Sequence, residues 1–198
     1  MNTNHTSTPN NRRPFIKVCG LTYAGSVDCA AAYGADYVGF NFCQGSESYV
    51  SPAHAAGMPT AHVKRVGVFN GGGAGEICRT MQQAGLHLAQ LQEGTSTEDA
   101  RIIGPRRVIR SLRLGQGTTV QQLQEELNRW APFCRAYLVE SSDAHLLSEV
   151  AFPHPWILSA RMENGALREM LRFCQPDGVD IESRVGCAET MAAMRAVS

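Results

Sequence analysis

The sequence has little charge and no net charge. Its 18 Lys and Arg residues balance 18 Asp and Glu residues, and charged residues make up 18% of the chain. The average globular domain has roughly 25%. Proteins dedicated to nucleic acid need a clustered excess of Lys and Arg to neutralise phosphates. The composition therefore predicts no nucleic-acid partner.

Long apolar runs are also missing. Polar residues interrupt every apolar stretch well before the ~18 residues that a membrane-spanning helix needs. Residues 1–13 are rich in Asn, Thr and Ser and have no apolar secretory stretch. We therefore expect a disordered tail there and a cytoplasmic protein that does not bind membranes. Hydrophobic residues, at 43%, are still numerous enough to form a sizeable core.

The cysteine and histidine residues show neither a disulfide pattern nor a metal-binding pattern. The seven cysteines are an odd number without a CxxC pair, and the six histidines contain no HExxH motif. Structural zinc sites and disulfide frameworks both depend on such spacings. We therefore expect free thiols, no metal ion and no cofactor.

Short apolar segments alternate with longer amphipathic ones. The strand candidates are rich in Val, Ile, Phe and Tyr and are bounded by Gly, Asp, Pro or Asn, which is typical of buried parallel strands. They are Phe15–Cys19, Tyr37–Phe42, Val63–Phe69, Leu86–Leu91, Val108–Leu114, Ala136–Glu140, Trp156–Ser159 and Gly178–Ile181. The clearest helix candidates are Ala74–Ala84, Thr119–Ala131 and Asn164–Cys174, and in the second of them apolar residues recur at helical spacing.

Eight strand candidates in alternation with helices predict a single-domain (β/α)8 barrel, a TIM barrel, over residues 14–198. The spacing of about 23 residues per unit is tight for a fold that typically needs ~250 residues. Some helices must therefore be short, such as the segment after Pro52, which Gly57 and Pro59 interrupt. An open doubly wound sheet is the alternative, but its five or six strands leave apolar segments unplaced.

In such a barrel the active site lies where the strands end. The polar residues at or just after the predicted strand ends are Cys19, Asn41, Cys43, Asn70, Gln90, Gln92, Arg113, Glu140, Arg161, Asp180 and Glu182. Cys19 could be a general base or nucleophile, or simply a small buried residue. Asp180 and Glu140 each follow an apolar strand and could act as acid, base or substrate anchor, or could cap the next loop.

A glycine-rich run, residues 70–75, follows the third strand. Its backbone amides could cradle an anion, but Glu76 occupies the third glycine position of a GxGxxG motif. A flexible loop is the alternative interpretation.

Several motifs occur in the order typical of one family. The segment Lys17-Val18-Cys19-Gly20-Leu21-Thr22 is close to the opening motif of phosphoribosylanthranilate isomerases. Further similar segments follow it along the chain: Gly34–Phe40, Ser48–Pro52, Val66–Phe69, Ala84–Leu86, Gln90–Leu91 and Gly178–Asp180. The chain thus resembles that family over most of residues 15–196, and the resemblance implies a (β/α)8 barrel.

The resemblance also implies catalytic roles. In the family the Cys of the first motif is a general base, and an Asp that ends strand six is a general acid. They drive an Amadori rearrangement, in which a ribosylamine ring opens and a proton leaves sugar C2. By position Cys19 is the base, Glu140 replaces the acid with one more methylene, and Asp180 matches the family's Asp on the last strand.

Other positions depart from the family pattern. Ser48 stands where the family has an arginine expected to touch substrate, and Gln92 stands where it has a histidine. The glycine-rich loop after strand six is missing. The glycines that would approach the phosphate after strands seven and eight are replaced by Ala160-Arg161 and Glu182-Ser183-Arg184.

These departures predict the loss of the family's phosphate-binding site. We therefore expect a divergent acid–base enzyme for isomerisation, dehydration or cyclisation of a small, non-phosphorylated substrate, such as a compound of specialised metabolism. Cys19, Glu140 and Asp180 are its expected catalytic residues, and Arg161 and Arg184 join the strand-end residues as substrate-binding candidates. One alternative is a genuine phosphoribosylanthranilate isomerase of tryptophan biosynthesis, with a phosphate site built from those two arginines. The other is a non-catalytic barrel that binds a metabolite or a partner.

Overall fold

Eight parallel strands form a closed barrel in chain order. The computed structural model describes residues 13–60, 62–159, 164–183, 192 and 194. The strands are β1 (Phe15–Cys19), β2 (Tyr37–Asn41), β3 (Lys64–Phe69), β4 (Leu88–Leu91), β5 (Val108–Arg113), β6 (Ala136–Glu140), β7 (Trp156–Ser159) and β8 (Gly178–Glu182). β8 pairs with β1 and closes the barrel.

Helices connect the strands on the outside of the barrel. Within the described residues they are α1 (Ala24–Ala32), α2 (Pro52–Ala56), α3 (Ala74–Gln83), α4 (Thr97–Ile103), α5 (Val120–Trp130), α6 (Ala144–Glu149) and α7 (Asn164–Cys174). Single 3-10 turns, Pro105–Arg107 and Ala131–Phe133, precede β5 and β6. None of these helices has the length and apolar character needed to cross a membrane.

The architecture confirms the (β/α)8 prediction. Strands β1, β6 and β7 and helix α7 have the predicted bounds, and the other predicted elements differ by one or two residues at an end. The short helix after residue 51 is present, and Ser51 caps it by accepting a hydrogen bond from the His54 N–H at 3.1 Å. The predicted tail lies outside the described residues except for Arg13, which pairs with Asp36 at 3.0 Å.

One expectation about the cysteines is wrong. Cys29 is disulfide-bonded, whereas Cys19, Cys43, Cys78, Cys134 and Cys174 are free thiols as expected.

The alternation of side chains along each strand divides the apolar residues between two cores. One core lies between the strands and the surrounding helices. The other fills the lower barrel interior and consists of Val66, Leu88, Ile109, Ala136, Leu138 and Ile157, with Phe15 and Tyr37 packed against it. Above this apolar floor the inward positions are mostly polar, and this change of character marks the end of the barrel that carries the site.

Candidate active site at the carboxyl end of the barrel

A cavity opens at the carboxyl end of the strands. Its lining comes from all eight strands and from some of the loops that follow them, and much of it is polar. The lining residues are Cys19, Gly20, Asn41, Ser48, Val68, Gln90, Gln92, Ser111, Leu138, Glu140, Ser159, Asp180 and Glu182. Seven of the predicted site residues therefore share this cavity, which we call the mouth cavity: Cys19, Asn41, Gln90, Gln92, Glu140, Asp180 and Glu182.

Cys19 ends β1 with a half-buried thiol. Its strand neighbour on β2 is Gly39, where an added Cβ would lie 2.8 Å from the Cys19 sulfur, so only glycine leaves room for the thiol. The Cys19 carbonyl accepts a hydrogen bond from the Ser183 N–H at 2.8 Å, which joins β1 to the loop after β8. Burial raises the pKa of the Cys19 thiol; the charge of Lys17 lowers it, and the charges of Asp180 and Glu182 raise it.

Asp180 lies deeper, at the centre of the barrel. It is 8% exposed and faces the fully buried Lys17 across the β1–β8 register, with Lys17 Nζ 2.8 Å from Asp180 Oδ1. Although burial lowers the pKa of Lys17, the charge of Asp180 raises it, and the result lies above the ordinary lysine value. A buried charge needs such a partner, so Asp180 has a defined electrostatic role, and it is not a loop cap.

Glu140 ends β6 on the opposite side of the mouth cavity. Its Oε2 accepts a hydrogen bond from Arg113 Nε at 3.2 Å, and Arg113 is its register partner on β5. The Arg113 side chain is 64% exposed. With Asn70, Gln92, Glu93 and Ser111, this pair lines a small side pocket that adjoins the mouth cavity. Arg113 thus lies at the rim, where a ligand anion can reach it.

Asn41 organises the loop after β2. Its Nδ2 donates to Ser46 Oγ at 2.8 Å and to Ser48 Oγ at 3.1 Å, while its Oδ1 accepts from the Cys43 N–H at 2.9 Å. Because β2 ends at Asn41, strand alternation does not extend to Cys43. Cys43 lines an outer pocket above the mouth cavity, not the mouth cavity itself, and burial raises its pKa.

Gln90 and Gln92 come from the end of β4. Gln90 is 4% exposed, and its Oε1 accepts no hydrogen bond within the described part of the chain. A buried acceptor of this kind is costly unless a ligand or water completes it. Gln92 is half-buried, and its backbone carbonyl is held by Arg110 at 2.7 Å.

The remaining candidates divide into two groups. Glu182 lies opposite Cys19 in the register and lines both the mouth cavity and the outer pocket. Arg161 and Arg184 lie outside the described residues.

The glycine-rich loop before α3 is not part of the mouth cavity. The Ala74 N–H at the start of that helix donates to the Asp99 carboxylate at 2.9 Å, so it already has an anionic partner. The described residues also contain no group of three His, Cys, Asp or Glu side chains that could hold a metal ion.

Sequence reasoning missed two residues that shape this site. Lys17 and Gly39 lie within strands, whereas the predicted site residues stand at or just after strand ends. The signal was available for Lys17: it precedes Cys19 by two positions, so the period-two alternation of a strand directs both side chains into the barrel. Nothing in the sequence alone indicates that Gly39 faces the Cys19 sulfur.

Known proteins resemble this chain in both sequence and structure. The family model described as N-(5'phosphoribosyl)anthranilate (PRA) isomerase matches residues 16–186. The N-(5'-phosphoribosyl)anthranilate isomerase of Desulfovibrio desulfuricans is 37% identical over 180 residues, which span 86% of this chain and 85% of that protein.

Solved structures of phosphoribosyl anthranilate isomerases share the fold of this chain. Phosphoribosyl anthranilate isomerase from Thermus thermophilus superposes with a TM-score of 0.78 at 25% identity, over 92% of this chain and 98% of that one. A further solved isomerase, in complex with reduced 1-(o-carboxyphenylamino)-1-deoxyribulose 5-phosphate, gives 0.79 at 24% identity, over 93% and 98% of the two chains.

These comparisons contradict the expected non-phosphorylated substrate. The matching family and the relative at 37% identity are both named for isomerisation of a phosphoribosyl compound. The similarity extends across the barrel, including the last strands, where the altered glycine positions had suggested a rebuilt pocket. The expectation of a divergent enzyme for a non-phosphorylated substrate is therefore wrong, and its alternative, a genuine phosphoribosylanthranilate isomerase, is favoured.

Proposed function

The chain belongs to the N-(5'-phosphoribosyl)anthranilate isomerase family, and from that membership we propose that it isomerises N-(5'-phosphoribosyl)anthranilate in tryptophan biosynthesis. It is an isomerase-type acid–base enzyme that acts on a small molecule. One observation carries the specific reaction: Cys19 and Glu140, at the family's base and acid positions, line the same cavity at the mouth of the barrel. The pathway makes the cytoplasm the compartment that we propose.

The proposed reaction is an Amadori rearrangement in two proton transfers. Glu140 donates a proton to the ring oxygen of the ribosylamine, the C1–O bond breaks, and the nitrogen lone pair forms a C1=N bond. The Cys19 thiolate then takes the proton from C2, and the C–H electrons form a C1=C2 bond while the C1=N pair returns to nitrogen. The resulting enol tautomerises to the ketone. A general acid or base typically contributes 10²–10⁴-fold in rate.

The substrate carries two anionic groups, a phosphate and a carboxylate, and the mouth needs cations to bind them. We propose Arg161 and Arg184 for the phosphate, because they stand where the family's phosphate-binding glycines are absent. Guanidinium groups bind phosphate and carboxylate through paired hydrogen bonds. Arg113 at the rim is accessible to the carboxylate.

The sugar hydroxyls have polar partners within the mouth cavity. Gln90 Oε1 is available to accept a hydrogen bond from a hydroxyl, and Asn41 and Gln92 line the same wall. Asp180 supports the site from below through Lys17. We propose that the positive charges of Arg161 and Arg184 offset the charge of Glu182, so that Glu182 does not repel the phosphate.

Growth of a tryptophan auxotroph that lacks this isomerase tests the proposal. The wild-type chain should restore growth without tryptophan, whereas Cys19→Ala and Glu140→Gln should not. Glu140→Asp should restore it, because it returns the family's own acid. Cys78→Ala, a cysteine substitution on α3 away from the mouth cavity, is the matched control and should support growth.

Kinetics of the purified variants separate binding from chemistry. Arg161→Ala and Arg184→Ala should raise KM for the phosphorylated substrate more than they lower kcat. Failure of the folded, normally expressed wild-type chain to restore growth would contradict the proposed function.

A further inference from the structure

A buried ammonium group lies directly beneath the proposed catalytic thiol. Lys17 is 0% exposed, and its Nζ lies 2.8 Å from Asp180 Oδ1 within the barrel. Structural lysines are almost never fully buried, and this one lies between the apolar floor and the mouth cavity, where no solvent reaches it. Its position requires an explanation beyond packing.

Lys17 and Cys19 share one face of β1. They are two residues apart, so both side chains point into the barrel, and Cys19 lines the mouth cavity above the buried ammonium. The same ammonium is bonded to the Asp180 carboxylate at 2.8 Å, and its charge acts on the Cys19 thiol.

The other charged groups that face the sulfur are acidic. From β8, Asp180 and Glu182 face Cys19. From β2 its neighbour is Gly39, which has no side chain, and across the mouth cavity lies Glu140. Among the described residues that line this cavity or whose charge acts on the thiol, Lys17 is the cation.

We propose that Lys17 is the positioning residue for Cys19: its ammonium donates a hydrogen bond to the sulfur and stabilises the thiolate, while Asp180 holds the ammonium in place. The inference rests on the proposed function, in which Cys19 is the base. When Cys19 takes the proton from C2 it becomes a neutral thiol, and Lys17 keeps its own proton throughout.

The direction of each electrostatic effect agrees with this role. Burial raises the pKa of the Cys19 thiol and disfavours its ionisation, and the charges of Asp180 and Glu182 act in the same direction. The charge of Lys17 opposes all three effects, because it lowers the pKa of the thiol. Because the thiolate is the reactive form of cysteine, loss of Lys17 should reduce the amount of active base.

Alkylation of Cys19 as a function of pH tests the proposal without any substrate. The rate of iodoacetamide modification is followed by mass spectrometry of the Cys19 peptide in the wild type, Lys17→Met, Asp180→Asn and the double variant. Cys43, on the loop after β2, serves as the internal reference in every sample and should keep its profile.

The proposal predicts shifts of opposite sign. Lys17→Met should lower the alkylation rate of Cys19 at neutral pH at least tenfold, and its apparent pKa should rise by one unit or more. Asp180→Asn should move the apparent pKa downward, because it removes a negative charge and keeps the ammonium. The double variant removes both buried charges. The apparent pKa of Cys19 in this variant should lie above that in Asp180→Asn alone.

An unchanged Cys19 profile in Lys17→Met, or shifts of the same sign in both single variants, would make Lys17 a structural residue only. If Lys17→Met does not fold, equal apparent pKa values in Asp180→Asn and the double variant would overturn the proposal. A wild-type chain with the predicted alkylation behaviour but no isomerase activity would contradict the proposed function and leave the Lys17 inference intact.

Discussion

Gly39 shows how one missing side chain makes the site possible. An added Cβ would lie 2.8 Å from the Cys19 sulfur and 3.1 Å from the Cys19 Cα, closer than van der Waals contact allows. Since one of these atoms is backbone, rotation of the thiol alone does not relieve the clash. The position of the proposed base therefore depends on a residue that takes no part in the chemistry.

We expect Gly39→Ala to lower kcat more than tenfold and to destabilise the protein by about 1–3 kcal/mol, the usual cost of overpacking. Steady-state kinetics and urea unfolding measure the two effects. Gly115→Ala is the matched control, because a Cβ at Gly115 meets nothing within 4 Å, and it should change neither quantity. Wild-type kcat in Gly39→Ala would show that the thiol tolerates displacement.

The sequence predicted individual site residues where a reactive side chain stands at the end of a predicted strand. Cys19, Glu140 and Asp180 end or nearly end apolar strands, so their place in the mouth cavity could be predicted. Cys43 was harder, because the strand alternation stops at Asn41, where the side chain bonds to the Cys43 N–H. The Lys17–Asp180 pair depends on the β1–β8 register, which no local pattern specifies.

Helix α5 shows what the sequence specifies at the level of an element. Leu123, Leu127 and Trp130 recur at helical spacing and are all buried against the barrel. The helix begins with a capping box, in which Thr119 Oγ1 accepts from the Gln122 N–H at 3.2 Å and Gln122 Oε1 accepts from the Thr119 N–H at 3.0 Å. The apolar spacing and the capping box indicate the same helix. The predicted bounds therefore differ from those observed by only one residue at each end.

Thr119→Ala should lower the free energy of unfolding by about 1 kcal/mol, the typical cost of losing an N-cap. Thr119→Ser keeps the hydroxyl and should stay close to the wild type. Urea unfolding of both variants measures the difference. Because α5 lies outside the mouth cavity, isomerase activity at low temperature should be unaffected; equal stability of the two variants would show that the cap does not contribute.

At the scale of the whole molecule, the barrel could be predicted while the substrate was not. Eight apolar segments of strand length leave few alternatives to a closed parallel barrel. The substrate inference failed because it weighed a few loop positions, such as Ala160-Arg161, against the pattern of the entire chain. Loops accept substitutions readily, and an arginine can bind phosphate where glycine amides are absent.

The stability of the folded protein should fall steeply in alkali. Burial raises the pKa of Cys134 to about 11, whereas an unfolded cysteine ionises near ~8.5. Between these values the unfolded chain releases a proton that the folded protein retains, so the free energy of unfolding falls as pH rises. Burial also raises the pKa of Tyr137, which extends the effect above the ordinary tyrosine value.

Cys134→Ala should make this alkaline decline shallower, by up to about 1.4 kcal/mol per pH unit. Urea unfolding of the wild type and the variant from pH 6 to 10.5 provides the comparison. Between pH 6 and 7, where the folded and unfolded thiols are both almost fully protonated, the two curves should run parallel. Parallel curves up to pH 10.5 would show that Cys134 does not cause the decline.

In the function that we propose, this barrel isomerises N-(5'-phosphoribosyl)anthranilate with Cys19 as the base. The most direct measurement follows the decay of substrate fluorescence with the purified wild-type chain and with Cys19→Ala. We expect turnover by the wild type and a loss of at least 10²-fold in kcat for Cys19→Ala, the lower end of the usual contribution of a general base. A folded wild-type protein without turnover, or a Cys19→Ala variant as active as the wild type, would contradict it.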